Sequence, residues 1–241
     1  MDQWEYRPAR DFGLPLRRRL LSVRRENGLV SSLTRHAWWI GSGLYLRSYH
    51  RLVVRGREHL PARPPFIMIA NHASHLDIML LAAGLPMRFR ECAYPIAAGD
   101  TFFETPARRL FSWMMLSALP MWRKGSVRHA IDDLRTRLLE NPVVYLLFPE
   151  GTRTRTGDMS AFRPGLGMLV AGTEIPVVPC RIEGAFRSLP PGSFVPRPYK
   201  LHLTIAPPMC FPAIANDRAG WKRIAGELEQ VIRGPSATPE A

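Results

Sequence analysis

Two short stretches of this sequence hold residues able to do chemistry. The first is Asn71-His72-Ala73-Ser74-His75-Leu76-Asp77, directly after the apolar run Pro65-Phe66-Ile67-Met68-Ile69-Ala70. A histidine in contact with a carboxylate makes a general base. The carboxylate fixes one imidazole tautomer and stabilises the imidazolium that forms as the ring takes a proton. His72 and Asp77 are five apart, which on a continuous helix puts them about 140° apart. They meet only if His72 lies in a turn and Asp77 in the first turn of the helix that follows. Ser74 as N-cap with Asp77 at N3, a capping box, gives that arrangement. Without a protein nucleophile, such a pair suits direct attack by a substrate hydroxyl on an activated acyl group. Two other readings stand beside it. Asp77 can simply cap the helix while His72 is a satisfied polar residue at a strand end. His72, His75 and Asp77 are also crowded enough to suggest a metal. No further His or Cys cluster completes such a site, since His129 and His202 are isolated and His36, His50 and His59 lie in the basic front. No metal ligand is therefore assigned.

The second stretch is Phe148-Pro149-Glu150-Gly151-Thr152-Arg153, at the end of the apolar run Val143-Val144-Tyr145-Leu146-Leu147. Pro149 stops strand pairing, and Gly151 allows a positive φ or close backbone approach. Beside such a turn Arg153 can fork a phosphate with two parallel hydrogen bonds, while Thr152 and backbone N–H groups fill in the rest. Glu150 can orient Arg153 or bind a substrate hydroxyl. On spacing alone, a turn with an exposed arginine remains an equal reading.

Both stretches need a frame that brings strand ends together. Short β-like runs fall at 51–55, 65–70, 88–94, 143–148, 176–182 and 200–206, and helical stretches at about 75–84, 103–115, 126–140, 165–173 and 216–233. In the 126–140 stretch Ser126 can cap, and Val127, Ile131, Leu134 and Leu138 share one face. Strands alternating with helices predict an α/β fold, a mostly parallel or mixed sheet flanked by helices. Open α/β sheets place ligands at the carboxyl ends of their strands, where both stretches lie. The chain divides into a basic, Trp-rich helical segment at 1–50, a main domain at 51–233 and a disordered tail at 234–241.

The charge is unusual. Thirty-three basic residues stand against 20 acidic ones, a formal +13. Lys124, Lys200 and Lys222 are the only lysines, and residues 1–63 alone hold 13 arginines against five acids. This asymmetry points to an anionic partner: nucleic acid, acidic lipid or a phosphorylated substrate. Residues 29–50 read as a helix mixing Leu33, Trp38, Trp39, Ile40, Leu44, Tyr45 and Leu46 with Arg35 and Arg47. That suits a helix lying among lipid headgroups, with Trp38 and Trp39 at the interface, or one packed on the main domain with solvated arginines. No apolar run is long enough to span a bilayer and no signal peptide is evident. Cys92, Cys180 and Cys210 make no disulfide framework, which suits a reducing compartment.

Taken together, Asn-His-x-Ser-x-x-Asp followed about 75 residues later by Phe-Pro-Glu-Gly-Thr-Arg resembles the glycerolipid acyltransferase family, especially bacterial 1-acylglycerol-3-phosphate (lysophosphatidate) acyltransferases. Ile175-Pro176-Val177-Val178-Pro179 is similar to the family's hydrophobic fourth motif. Phe162-Arg163-Pro164-Gly165 resembles the Phe-Lys-x-Gly stretch after its third. Ser117-Ala118-Leu119-Pro120-Met121-Trp122-Arg123 falls where the family's arginine-bearing motif belongs, which implies Arg123 as a phosphate ligand. Ser117 and Trp122 depart from that pattern and put the shape of the acceptor pocket in question. The resemblance covers about residues 50–210. It implies that His72 and Asp77 are catalytic, that Arg123, Glu150, Gly151, Thr152 and Arg153 bind substrate, and that no resident cofactor is needed. Acyl-CoA or acyl carrier protein would be the donor and lysophosphatidate the acceptor, giving phosphatidic acid. The expected partners are these substrates and an anionic membrane surface, the enzyme lying peripherally on the cytoplasmic face of the inner membrane. Another lyso-lipid acceptor, such as a lyso-ornithine lipid, is the nearest alternative. A nucleic-acid-binding module would explain the charge but not the two motifs, and no aromatic-basic RNA-binding signature is present.

Overall fold

A computed structural model of the chain describes residues 29–90, 92–98, 119–121 and 127–234. The expected helix at 103–115, residues 1–28, Ser126, Trp122 and Arg123 lie outside the described residues, as does the tail beyond Gly234.

A seven-stranded sheet organises the molecule. Its strands are β1 (Val53–Arg55), β2 (Phe66–Ala70), β3 (Ala93–Ala98), β4 (Leu119–Met121), β5 (Val144–Leu147), β6 (Val177–Glu183) and β7 (His202–Ile205), in the order β1-β7-β6-β2-β5-β3-β4. Every neighbouring pair is parallel except β6–β7. The mixed α/β sheet is the fold the sequence predicts. Strands β2 and β5 are buried at every position, as expected where helices cover both faces of a parallel sheet.

The period-two geometry of β2 sends Phe66, Met68 and Ala70 to one face and Ile67 and Ile69 to the other. The first face is covered by α1 (Leu29–Ser48) and α2 (Asp77–Gly84), whose Trp39, Leu46, Leu80 and Leu81 join its core. The second is covered by α4 (Val127–Glu140), α5 (Gly165–Val170) and α7 (Arg218–Arg233). There Ile131, Leu134 and Leu138 of α4 point inward on the face the sequence marks. Helices α5 and α7 approach so closely that a Cβ on Gly167 would lie 2.4 Å from Trp221 Cα. Asp217 caps α7 by accepting from Gly220 N–H at 2.7 Å.

Three expectations change. The run at 88–94 is not a strand: Met87–Arg90 forms the short helix α3, and the strand starts at Ala93. The alternation in Arg88-Phe89-Arg90 mimics a strand, but Phe89 is buried against Phe66 while both arginines lie at a helix end. Residues 119–121, expected as part of a motif rather than a strand, form β4 beside β3. Third, Trp38 and Trp39 do not face outward. Trp39 is buried and Trp38 packs against the same core. The outward stripe of α1 is instead Leu33, Ala37, Ile40 and Leu44, at the i, i+4, i+7, i+11 spacing of one helix face. Helix α1 is thus integral to the domain's packing. None of the described helices is long and apolar enough to cross a membrane.

Candidate active site

Strands β2, β5 and β6 run parallel, so their carboxyl ends share one edge of the sheet. The turn after β2 carries His72. It is pinned to β6 by Asn71, whose Nδ2 donates to Ile182 O at 2.9 Å while its Oδ1 accepts from Ile182 N–H at 2.8 Å. The side-chain amide thereby imitates a residue of the ladder after the ladder has ended.

Helix α2 begins at Asp77, two residues later than expected. The Asp77 carboxylate is fully buried, and its Oδ2 accepts from Ala73 N–H at 2.6 Å and Ser74 N–H at 2.7 Å. The carboxylate half of the expected capping box is therefore present. The hydroxyl half differs: Ser74 Oγ accepts from Leu76 N–H at 3.2 Å and donates to Leu189 O at 2.9 Å. Asp77 Oδ2 also lies 2.9 Å from His72 Nδ1. An ionised carboxylate only accepts, so Nδ1 carries the proton and Nε2 the lone pair. Asp77 Oδ1 has no hydrogen-bond partner among the described residues, so protonation of the ring supplies compensation its charge lacks.

The loop after β5 clamps His72 from the other side. Phe148 stacks on the imidazole, with centroids 4.1 Å apart and planes 12° apart. His72 N–H donates to Glu150 Oε1 at 2.6 Å, and His72 O accepts from Thr154 N–H at 2.9 Å. Glu150 Oε2 accepts from Ser160 N–H at 2.8 Å. Burial raises the Glu150 pKa, and the two N–H donors and His72 offset part of that rise. With each oxygen accepting from a backbone N–H, Glu150 fixes the loop that carries Arg153. Gly151 takes φ 73°, and Arg163 fills the space a Cβ would occupy, its Nε 2.8 Å from that point. Arg163 in turn donates from Nε to Glu150 O at 3.1 Å.

Thr152 is exposed and its hydroxyl donates to Arg153 O at 3.1 Å. Arg153 is half-buried, and its charge, after burial, is the next cause lowering the His75 pKa, so it stands at the same edge as the dyad. Among the described residues no group of three His, Cys, Asp or Glu is arranged to hold a metal. Sequence reasoning gave no role to Asn71, Phe148, Thr154, Ser160 or Arg163. A signal was available for Asn71, Phe148 and Arg163, which stand in the motif stretches, and none for Thr154 or Ser160.

A family model described as Acyltransferase matches residues 51–183, more than half of the chain and both arms of this site. The chain belongs to the acyltransferase family. It is 31% identical over 130 residues to human 1-acyl-sn-glycerol-3-phosphate acyltransferase alpha, covering 54% of this chain and 44% of that protein. It is 29% identical over 161 residues to a chloroplastic 1-acyl-sn-glycerol-3-phosphate acyltransferase of Arabidopsis thaliana, covering 64% of this chain and 42% of that one. The chain spans a little under half the length of these curated relatives. Its fold is similar to the crystal structure of the 1-acyl-sn-glycerophosphate (LPA) acyltransferase PlsC from Thermotoga maritima. The TM-score is 0.62 at 24% identity, over 86% of this chain and 83% of that one.

Proposed function

We propose that this acyltransferase moves a fatty acyl group from a thioester donor, acyl-CoA or acyl carrier protein, to the free hydroxyl of 1-acyl-sn-glycerol-3-phosphate, giving phosphatidic acid. The observation that carries this reading is the His72 Nδ1 to Asp77 Oδ2 contact, which leaves Nε2 as an acceptor at the sheet's carboxyl edge. Nε2 takes the proton of the acceptor hydroxyl as its oxygen attacks the thioester carbonyl carbon. The tetrahedral intermediate then collapses, the C–S bond breaks, and the thiolate takes the proton back from His72. Asp77 stabilises the imidazolium between these steps. Arg153, with Arg123 from the preceding motif, holds the acceptor phosphate, so that binding a remote group fixes the position of the hydroxyl. Gly151 and Thr152 shape the loop that presents Arg153. No resident cofactor enters this scheme.

The acceptor is amphiphilic, so the enzyme works at a bilayer surface, peripherally and on the cytoplasmic face of the inner membrane. The outward apolar stripe of α1, Leu33, Ile40 and Leu44, supports this, together with the arginines between residues 7 and 57. Incubation with acyl-CoA and acyl carrier protein donors against a panel of lyso-lipids, with products identified by mass, tests the reading. Phosphatidic acid is the expected product. Acylation of another lyso-lipid in preference to lysophosphatidate would replace the acceptor, and no thioester-dependent acylation of any would overturn the reading.

A further inference from the structure

The segment between α6 (Ala185–Ser188) and β7 has no place in the chemistry above, yet it lies at the same edge. It leaves β6, which is parallel to β2, and enters β7, which is antiparallel, so it begins and ends where the carboxyl ends of β2 and β5 lie. The Ser74 hydroxyl, bonded to Leu189 O, ties its start to the turn that carries His72. Helix α1 leads into β1, which is parallel to β7, so its carboxyl end reaches this edge too.

The segment is built, not loose. Arg197 N–H donates to Ser188 O at 2.8 Å, and Ser188 Oγ donates to Arg197 O at 2.9 Å. Tyr49, just past α1, donates its hydroxyl to Pro196 O at 3.0 Å, and His50 Nδ1–H reaches Tyr199 O at 3.2 Å. Pro190, Pro191, Pro196 and Pro198 stiffen it further. This frame holds Phe194 95% exposed and Val195 79% exposed, the largest exposures among the large hydrophobic side chains of the described residues. A fixed backbone that holds two adjacent large apolar side chains in water suits their insertion into an apolar phase.

The surroundings identify the partner by charge. Behind the tip lies a cleft of about 340 Å³ lined by Phe186, Arg187, Pro190, Arg197 and Tyr199. Arg187 donates from Nη1 to the Tyr199 hydroxyl at 2.7 Å, which fixes its guanidinium at the surface beside this mostly apolar cleft. Residues 184–201 include Arg187, Arg197 and Lys200 and no acid. Apolar residues at a tip with guanidinium groups one layer behind match an acyl layer beneath phosphate headgroups.

We propose that residues 190–200 form a second membrane-docking element, with Phe194 and Val195 entering the acyl layer of an anionic bilayer and the exposed Arg187 and Arg197 binding lipid phosphates beside the cleft. The element continues the contact made by α1 through the Tyr49 to Pro196 bond. It sets the dyad's edge of the sheet against the bilayer that holds the acceptor. This rests on the acyltransferase reading for its purpose but not for its test.

The test is co-sedimentation of the full chain with vesicles of phosphatidylcholine alone or mixed with phosphatidylglycerol. The double variant Phe194→Ser/Val195→Ser should bind mixed vesicles roughly tenfold or more weakly, from lost apolar burial. It should keep its melting temperature and its rate on a short-chain, monomeric acceptor. Arg187→Gln/Arg197→Gln should lower the preference for phosphatidylglycerol, leaving the part that the arginines between residues 7 and 57 supply; an unchanged preference removes the two arginines from the element. Unchanged vesicle binding by the first variant overturns the proposal. So does a self-association of the wild type that this variant abolishes, which assigns the tip to a second copy. Loop-dependent vesicle binding by a chain that acylates nothing would uphold the docking and refute the enzymatic reading, so the two fail separately.

Discussion

The backbone N–H of His72 donates to Oε1 of Glu150 at 2.6 Å, across 78 positions of sequence. The two motifs are therefore one device: the second motif's acid holds the backbone of the first motif's base. Replacing Glu150 by Gln leaves one of two buried N–H donors, His72 or Ser160, facing an NH₂ group. An unsatisfied buried donor costs about 1–3 kcal/mol. The expected result is a lower melting temperature and a kcat reduced roughly tenfold to a hundredfold, since a small misplacement of the base is costly. The acceptor KM should change little. A raised KM at constant kcat would mean that Glu150 contacts the acceptor.

Asp77→Asn separates the capping role from the chemical one. An asparagine Oδ1 can still accept from Ala73 and Ser74 N–H, so α2 keeps its start. It cannot stabilise an imidazolium, and it permits the wrong tautomer. Steady-state kinetics should show kcat reduced roughly a hundredfold to ten-thousandfold with a folded chain by circular dichroism. A near-normal kcat would leave Asp77 as a cap only.

How far this site is legible in the sequence follows from how local each part is. The His72–Asp77 contact spans only a turn and a helix start, so spacing and turn chemistry allow it, beside a reading of Asp77 as a cap alone. The clamp by Glu150, Phe148 and Thr154 depends on β2 and β5 being neighbours, and residue types alone do not give strand order. For the same reason residue types give no sign that Glu150 holds the backbone of His72 and Ser160. Helix α1 misleads in another way. Leu33, Ile40 and Leu44 are as apolar as Trp39 and Leu46, so no polar face tells which side meets the core. The sheet itself is readable because β2 and β5 are continuous apolar runs bounded by turn residues, and β6 begins as one.

Arg153→Ala should act on binding. The guanidinium stands at the dyad's edge but takes no proton in the scheme above. The acceptor KM should rise roughly tenfold to a hundredfold, as for loss of a charge-assisted bond, while kcat at saturation falls less. A KM for lysophosphatidate unchanged in initial-rate assays would remove Arg153 from the phosphate site.

His50 ties α1 to the segment before β7 and sets an acid limit on stability. It is fully buried: Nδ1–H donates to Tyr199 O, and Nε2 accepts from the Tyr45 hydroxyl at 2.9 Å. Burial, the larger cause, lowers its pKa below the ordinary 6.5. The folded chain therefore binds fewer protons at this site than the unfolded one. Its contribution is fully present above pH 6.5 and is lost as pH falls through that value toward the depressed one. Denaturant melts should show stability falling below pH 6.5 with a slope of up to ~1.4 kcal/mol per pH unit from this group. His50→Gln should flatten that slope at some cost at neutral pH; an unchanged slope would contradict it.

The central claim is that His72 is the base for acyl transfer to a hydroxyl. The direct measurement is the rate of acyl transfer from a thioester donor to lysophosphatidate by His72→Ala, beside the wild type, with product identified by mass. The account predicts a rate reduced roughly a hundredfold to ten-thousandfold, with folding retained because the turn is held by Asn71 and Asp77. A near-normal rate in the variant would contradict it.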